Sequence, residues 1–220
     1  CLIPARNDAI TKSGSRLGTM TTSCPALEHA LSDFPGRQAL IDAIDAAVAH
    51  DGYEAIGQAL ADSLERLIQS GTLQLPPVVL QPVGGHYARR LLYRSPEHGY
   101  VVIAMTWGAG QGTPIHDHDG MWGVEGVCHG HIEVIPHRVA ARQGDRWRFE
   151  AQAPILAGLG QTACVFPPAD HHVIRNAGVD EVAVSLHIYE HDMTCCGIYV
   201  EQSDGSHLLV RKELSLDAVA

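Results

Sequence analysis

The feature that most constrains the fold is a series of short, strand-like runs that fills the chain after Pro76 and Pro77. The runs are rich in Val, Ile, Tyr and Trp, and Gly, Pro and Asp separate them, which is typical of β-strands joined by tight turns. They predict strands over residues 87–94, 100–107, 121–128, 131–137, 146–150, 162–166, 172–176, 181–189 and 207–211. Because no helical stretch separates these runs, they indicate a β-sandwich or a β-barrel.

The chain before these runs divides into two segments. Residues 1–22 show no hydrophobic periodicity and are rich in Gly, Ser and Thr, so we expect a disordered or extension arm. Residues 23–75 carry apolar residues three or four positions apart within 40–48 and 60–68, which predicts a helical segment packed on the barrel. Residues 76–215 are then expected to form the β domain.

Composition limits the classes of function. The formal net charge is -10 over 220 residues, and an acidic chain is a poor binder of nucleic-acid phosphates. No apolar run reaches the roughly 20 residues that span a bilayer, and the first residues do not resemble a secretory signal. The six cysteines show neither disulfide-type nor zinc-type spacing. We therefore expect reduced thiols in a cytoplasmic protein. We also expect a monomer or a weak homo-oligomer, without a sequence feature that indicates the oligomeric state.

Two histidine-containing segments carry the chemistry. In the first, GQGTPIHDHDG, His116 and His118 are two residues apart, so on an extended strand they face the same side and can bind one divalent metal. In the second, FPPADHHVIRN, either His171 or His172 can add a third imidazole. Three neutral ligands leave coordination positions open, unlike a closed structural site. The alternative is a chance pair in a chain with 14 histidines.

The residues around these histidines resemble the two signatures of the cupin family. The first signature is matched by Gly110, His116, His118 and Gly130. The second is matched by Pro167, Ala169, His172 and Asn176, with Ala169 in place of the usual Gly. The alignment selects His172 over His171 as the third ligand. The resemblance implies a mainly β cupin fold, a double-stranded β-helix or jelly-roll barrel, with an N-terminal helical segment and a metal site.

The resemblance narrows further at the place of the usual cupin glutamate ligand, where this sequence has Trp122 and Gly123. Glu125 lies beyond that place, and its odd spacing from His118 predicts that it faces elsewhere. A three-His site without the carboxylate resembles one cupin branch, the thiol dioxygenases, whose best-known member is cysteine dioxygenase. Animal members cross-link a Cys at the position of Gly123 to the active-site Tyr, so this chain resembles the bacterial members, with a free phenol.

Two further matches extend this resemblance over about residues 80–200. VSLHIY resembles the branch's Ser-His-Tyr segment, and strand periodicity puts Ser185, His187 and Tyr189 on one face. In the family these three form a hydrogen-bonded relay that ends at the substrate. Tyr87 and Arg89 resemble a Tyr-x-Arg segment whose Arg binds the substrate carboxylate. The plain alternatives are core tyrosines and a surface arginine.

The resemblance implies an enzyme that holds one Fe(II) per chain and oxidises L-cysteine with O2 to cysteine sulfinate. Within this resemblance Arg89 favours cysteine, because relatives that prefer 3-mercaptopropionate usually carry Gln at that position. 3-Mercaptopropionate and mercaptosuccinate are the alternative thiols. Three imidazoles also suit Ni, Co or Zn, so the ligand set leaves the metal open. Two other classes stay open: a non-catalytic cupin that senses a metal or ligand, and a metal-free cupin isomerase with a His base.

Overall fold

The structure is a computed structural model that describes residues 31–218. The predicted arm over 1–22 and the first residues of the predicted 23–75 segment lie outside the described residues. Within the described part, helices precede the β-structure, as the apolar periodicity predicts. They are α1 (Arg37–Val48), α2 (Tyr53–Gln69) and a short 3-10 helix (Pro77–Leu80).

The two α-helices form because their apolar residues recur once per turn and can be buried along one stripe. Leu40 and Ile44 of α1 pack with Leu60 and Leu64 of α2 in one buried cluster. Between the helices the chain turns at Gly52, whose φ of 88° is a conformation that glycine adopts without strain. The two periodic stretches within 40–48 and 60–68 therefore fall on separate helices.

Twelve strands follow within residues 31–218. They are β1 (Ala88–Arg94), β2 (Val101–Trp107), β3 (Ile115–His116), β4 (Gly123–His129), β5 (Ile132–Gln143), β6 (Arg146–Ala151), β7 (Ile155–Ala157), β8 (Thr162–Val165), β9 (His172–Asn176), β10 (Ala183–Tyr189), β11 (Cys195–Glu201) and β12 (His207–Glu213). Nine of these correspond to the predicted strands, while β3, β7 and β11 were not predicted. Two of the three are very short, and β11 opens with a Cys-Cys-Gly run of low strand propensity.

The strands form two antiparallel sheets within the described part of the chain. One has five strands in the order β1-β2-β10-β4-β8, and the other has seven in the order β6-β12-β11-β3-β9-β5-β7. The long strand β5 also pairs with β6. Side chains from both sheets meet in one buried cluster, which includes Val101, Val127, Ile132 and Ile174. This cluster is the barrel interior, and the prediction of a mainly β fold is confirmed.

The helices cover the other face of the five-stranded sheet. The helix cluster continues into Val102, Val124 and Leu186 of that sheet. Gly126 of β4 allows a close approach, since a Cβ there would lie 2.7 Å from Leu64 Cδ2 of α2. The five-stranded sheet is thus buried on both faces, by helices outside and by the second sheet inside. No helix between residues 31 and 218 is long and apolar enough to cross a membrane.

Candidate metal centre and substrate pocket

Three histidines converge in the barrel interior. His116 of β3 pairs directly with His172 of β9, and His118 follows β3 by two residues. One ring nitrogen from each of the three side chains lies within 4.8 Å of the other two, and the ring centroids are 4.6 to 5.1 Å apart. A single metal ion can bind three imidazoles at this spacing.

The Asp170 carboxylate holds His118 in place. Its Oδ2 accepts the backbone N–H of His118 at 2.9 Å and lies 3.1 Å from His118 Nδ1. A hydrogen bond at Nδ1 leaves Nε2 for a metal, and carboxylates commonly orient metal-binding histidines in this way. Burial raises the pKa of Asp170, but the contacts with His118 outweigh burial and bring it to about 2. Asp170 is therefore ionised at neutral pH.

The free nitrogen atoms of the cluster provide a test of the metal site. His118 Nε2 and His172 Nε2 are both buried without a hydrogen-bond partner. A buried polar atom without a partner costs about 1–3 kcal/mol, and these two atoms belong to histidines of one close cluster. A metal ion bound there would give both atoms a partner. The arrangement of donor atoms thus fits a bound metal.

The protonation state of the cluster also suits metal binding. Burial, with the neighbouring histidines, lowers the pKa of His116 well below its usual value. Burial likewise lowers the pKa of His172 to about 4. Both imidazoles are therefore neutral near pH 7 and keep a lone pair for a metal.

A hydrogen-bonded chain crosses the interior beside the three histidines. Trp107 Nε1 donates to Ser185 Oγ at 2.9 Å, Ser185 Oγ lies 2.7 Å from His187 Nε2, and His187 Nδ1 lies 3.0 Å from the Tyr189 hydroxyl. The Tyr189 ring lies 6.0 Å from that of His118. Burial, with Glu125 nearby, raises the pKa of Tyr189 well above its usual value, so the phenol stays protonated.

Gly123 makes room for the Tyr189 ring. The two residues are cross-strand partners, and a Cβ at position 123 would lie 2.9 Å from Tyr189 Cδ1. With glycine at this position no thioether to Tyr189 can form. The phenol is therefore free.

Arg89 and Tyr87 close the opposite side of the pocket. Both line the cavity that also contains His116 and Tyr189. Arg89 is only 4% exposed, and it donates to the carbonyls of Ser215 and Met193 at 3.2 and 3.3 Å. Its Nε is buried without a partner. Arg90 points the other way and donates to Thr106 Oγ1 at 2.8 Å.

Glu125 is a pocket residue that the sequence analysis expected to face elsewhere. It lines the pocket, with Oε1 3.1 Å from His187 Nδ1 and 3.9 Å from His118 Nε2. The prediction that it faces elsewhere is wrong because β3 ends at His116, and the chain turns at Asp119 and Gly120, which both have positive φ. Strand parity therefore cannot be counted from His118. Counted back from His187, its cross-strand partner, Glu125 faces the interior.

Burial alone raises the pKa of Glu125, but His187 and the nearby histidines outweigh burial and hold that pKa below its usual range.

His171 lies on the other side of β9, where its Nε2 is 3.0 Å from the Tyr199 hydroxyl. His171 therefore does not join the metal cluster, whereas buried Cys196 lines the pocket wall.

The barrel with its inward three-His cluster defines a cupin with a candidate metal centre. A family model described as cysteine dioxygenase type I matches residues 85–202. The chain belongs to the cysteine dioxygenase type I family, which makes it a member of the cupin thiol dioxygenases. Both the fold and the family predicted from the sequence motifs are confirmed.

Several solved structures are similar to about half of this chain. TT1209 from Thermus thermophilus shares 18% identity over 50% of this chain and 89% of its own, with a TM-score of 0.37. An RmlC-like cupin from Desulfovibrio desulfuricans shares 21% identity over 51% and 90%, also with a TM-score of 0.37. The DMSP lyase DddQ from Ruegeria pomeroyi shares 17% identity over 50% and 52%, with a TM-score of 0.37.

Proposed function

We propose that this protein is an iron-dependent thiol dioxygenase that oxidises L-cysteine with O2 to cysteine sulfinate. The observation that carries the proposal is the three-His cluster, whose unpartnered Nε2 atoms lie beside a buried pocket that also contains Arg89 and Tyr189. Membership in the cysteine dioxygenase type I family supports the reaction class. The cytoplasmic location and the monomeric or weakly associated state stay predictions.

His116, His118 and His172 would hold one Fe(II). Bound there, ferrous iron would supply a site for the thiolate and the redox chemistry that activates O2. The overall reaction balances without another reductant: the thiol S–H becomes a sulfinic acid, sulfur is oxidised by four electrons, and both atoms of O2 are reduced and end on sulfur. The binding residues need only gather the reactants and exclude water.

Arg89 would bind the substrate carboxylate. Two of its five N–H groups donate to the carbonyls of Ser215 and Met193, and its Nε–H has no partner. The remaining donors can form a bidentate pair with a carboxylate, which fixes orientation as well as distance. The same contact would accept 3-mercaptopropionate or mercaptosuccinate, so Arg89 by itself does not select among the carboxylated thiols.

Tyr189 would donate a hydrogen bond to the reacting group. The indole of Trp107 can only donate, so Ser185 Oγ accepts that bond and has its own proton available for His187 Nε2. The Glu125 carboxylate beside His187 Nδ1 favours a proton on that nitrogen. His187 then donates to the Tyr189 oxygen, and the phenol proton is left for the pocket.

The proposal is tested by O2 consumption of protein loaded anaerobically with Fe(II), supplied in parallel with L-cysteine, 3-mercaptopropionate and mercaptosuccinate. We expect sulfinate from L-cysteine at one O2 per thiol. His172→Ala should abolish iron binding and activity, whereas His171→Ala, a neighbouring buried histidine outside the cluster, should keep both. No O2 uptake with any thiol, in protein shown to contain iron, would overturn the proposal.

A further inference from the structure

Glu125 places a carboxylate inside the candidate pocket. The side chain is 6% exposed, and it lines the same cavity as Arg89, His116 and Tyr189. Burying an ionised carboxylate is costly unless it is paired and hydrogen-bonded. The cost of burying this carboxylate must therefore be offset by its contacts with the protein or by its contacts with a ligand.

The protein contacts of this carboxylate leave it incompletely paired. Its Oε1 lies 3.1 Å from His187 Nδ1, but that nitrogen also lies 3.0 Å from the Tyr189 hydroxyl, so a single N–H is shared between two oxygen atoms. Its distance to His118 Nε2 is 3.9 Å, which is too long for a hydrogen bond. The position thus leaves carboxylate oxygen available for a donor that enters the pocket.

Glu125 is also not placed as a fourth member of the metal cluster. Among residues 31–218, the mutually close ligand atoms come from the three histidines and do not include Glu125. Its carboxylate stands beside the cluster, at the place where a molecule bound next to His118 would be contacted. The distances therefore favour a contact between Glu125 and a bound ligand over a contact between Glu125 and the metal.

The pocket then presents a guanidinium and a carboxylate to the same ligand. We propose that Glu125 accepts hydrogen bonds from the amino group of the substrate, and that it makes the pocket selective for aminothiols that also carry a carboxylate. The inference rests on the proposed function and names the substrate class of that site. Arg89 recognises one end of such a molecule and Glu125 the other.

The charge pattern discriminates among related thiols. 3-Mercaptopropionate has the carboxylate but no amine, so it leaves Glu125 buried without a donor. Mercaptosuccinate brings a second carboxylate toward Glu125, and like charges at short range in a buried site repel strongly. Cysteamine has the amine without the carboxylate, so it reports on Glu125 independently of Arg89.

These four thiols test the inference through their dissociation constants, measured anaerobically by calorimetry on iron-loaded wild-type and Glu125→Gln protein. A hydrogen bond to a charged group contributes about 1.5–3 kcal/mol, so Glu125→Gln should weaken L-cysteine and cysteamine by roughly tenfold to a hundredfold. Binding of 3-mercaptopropionate should hold and that of mercaptosuccinate should tighten. Iron content and the circular dichroism spectrum should match the wild type.

Arg89→Gln is the matched control. It should weaken the three carboxylated thiols and leave cysteamine unchanged, so L-cysteine is the one thiol that both variants bind more weakly. If Glu125→Gln does not fold, Glu125→Asp can be used instead. It keeps the negative charge on a shorter side chain, farther from the ligand, and it should lower the preference for L-cysteine over 3-mercaptopropionate. An equal loss for all four thiols, or a loss of iron, would overturn the inference and assign Glu125 to positioning His187 or to the metal.

The failure of this inference can be told apart from a failure of the proposed function. If wild-type protein forms sulfinate from a thiol but Glu125→Gln keeps the wild-type order of affinities, only the aminothiol assignment is wrong. If the iron-loaded wild type consumes no O2 with any thiol, the dioxygenase reaction itself is wrong, whatever the order of affinities.

Discussion

Strand β10 has two buried faces, one apolar and one polar. On the outer face, Val184, Leu186 and Ile188 pack in the cluster that includes the helices. On the inner face, Ser185, His187 and Tyr189 form the hydrogen-bonded chain beside the three histidines. All seven residues of the strand are buried, so burial alone does not separate the two sets.

The difference shows how one strand combines stability with chemistry. Successive side chains point to opposite faces, so the outer residues can be purely apolar while the inner ones are polar and satisfied by one another. We therefore expect substitutions on the outer face to lower the free energy of unfolding and those on the inner face to lower activity. Any substitution that does both would weaken this division.

The largest effect is expected on the inner face, from Tyr189→Phe. The change removes the hydroxyl but keeps the ring over Gly123. Loss of one positioned proton donor should lower the rate of sulfinate formation by about 10²–10⁴-fold. Iron content and melting temperature should stay close to the wild type, and steady-state kinetics with metal analysis would check both. A wild-type rate would remove Tyr189 from the reaction.

On the outer face, Leu186→Ala should act on stability. The side chain is fully buried against the helix cluster, and such truncations cost about 2–5 kcal/mol. Urea unfolding should show that loss, while activity per folded molecule stays near that of the wild type. A strong loss of activity at full stability would contradict the separation of the two faces.

Acid should destabilise the metal-free protein through His172, which lies on β9 of the seven-stranded sheet. The folded-state pKa of His172 falls from 6.5 to about 4, so the unfolded chain takes up its proton more readily. The stability that the neutral His172 contributes is fully present above pH 6.5 and is lost as the pH falls toward 4. The free energy of unfolding should fall by roughly 3 kcal/mol over this range. Unfolding titrations of wild type and His172→Asn should differ in slope across this window, and equal slopes would contradict it.

A smaller effect is expected from Asp170→Asn, which leaves the three histidines in place. The amide keeps the shape of Asp170 but removes the charge that orients His118. Changes of this kind lower metal affinity by about 10–100-fold. Competition with a chelator would measure the loss, and Asp180→Asn, at an exposed carboxylate elsewhere, is the control. An unchanged metal affinity would show that Asp170 only shapes the turn.

Much of this arrangement follows from sequence periodicity. The helical spacing of apolar residues predicted α1 and α2, and the period of two placed Ser185, His187 and Tyr189 on a common face. Asp170 was not singled out, because its partner His118 is 52 residues away along the chain and no local pattern connects the two.

Other contacts could not be predicted because they depend on turns and on distant parts of the chain. The direction of the Glu125 side chain could not be predicted from His118, because the chain turns at Asp119 and Gly120 and the alternation of side chains along a strand does not continue through a turn. The C-terminal segment over the pocket was equally hidden: Asp217 Oδ2 accepts the backbone N–H of Arg89, and the Ser215 carbonyl accepts from its side chain. No sequence pattern near residue 89 or near residues 215–217 predicts that these two segments pair.

The central claim is that this pocket transfers both atoms of O2 to a thiol sulfur. The most direct measurement is mass spectrometry of the product formed by iron-loaded protein from L-cysteine under isotopically labelled O2. The account predicts cysteine sulfinate that carries label at both sulfur-bound oxygens, with no unlabelled oxygen taken from water. Cystine with peroxide, or a sulfinate in which an oxygen comes from water, would contradict it.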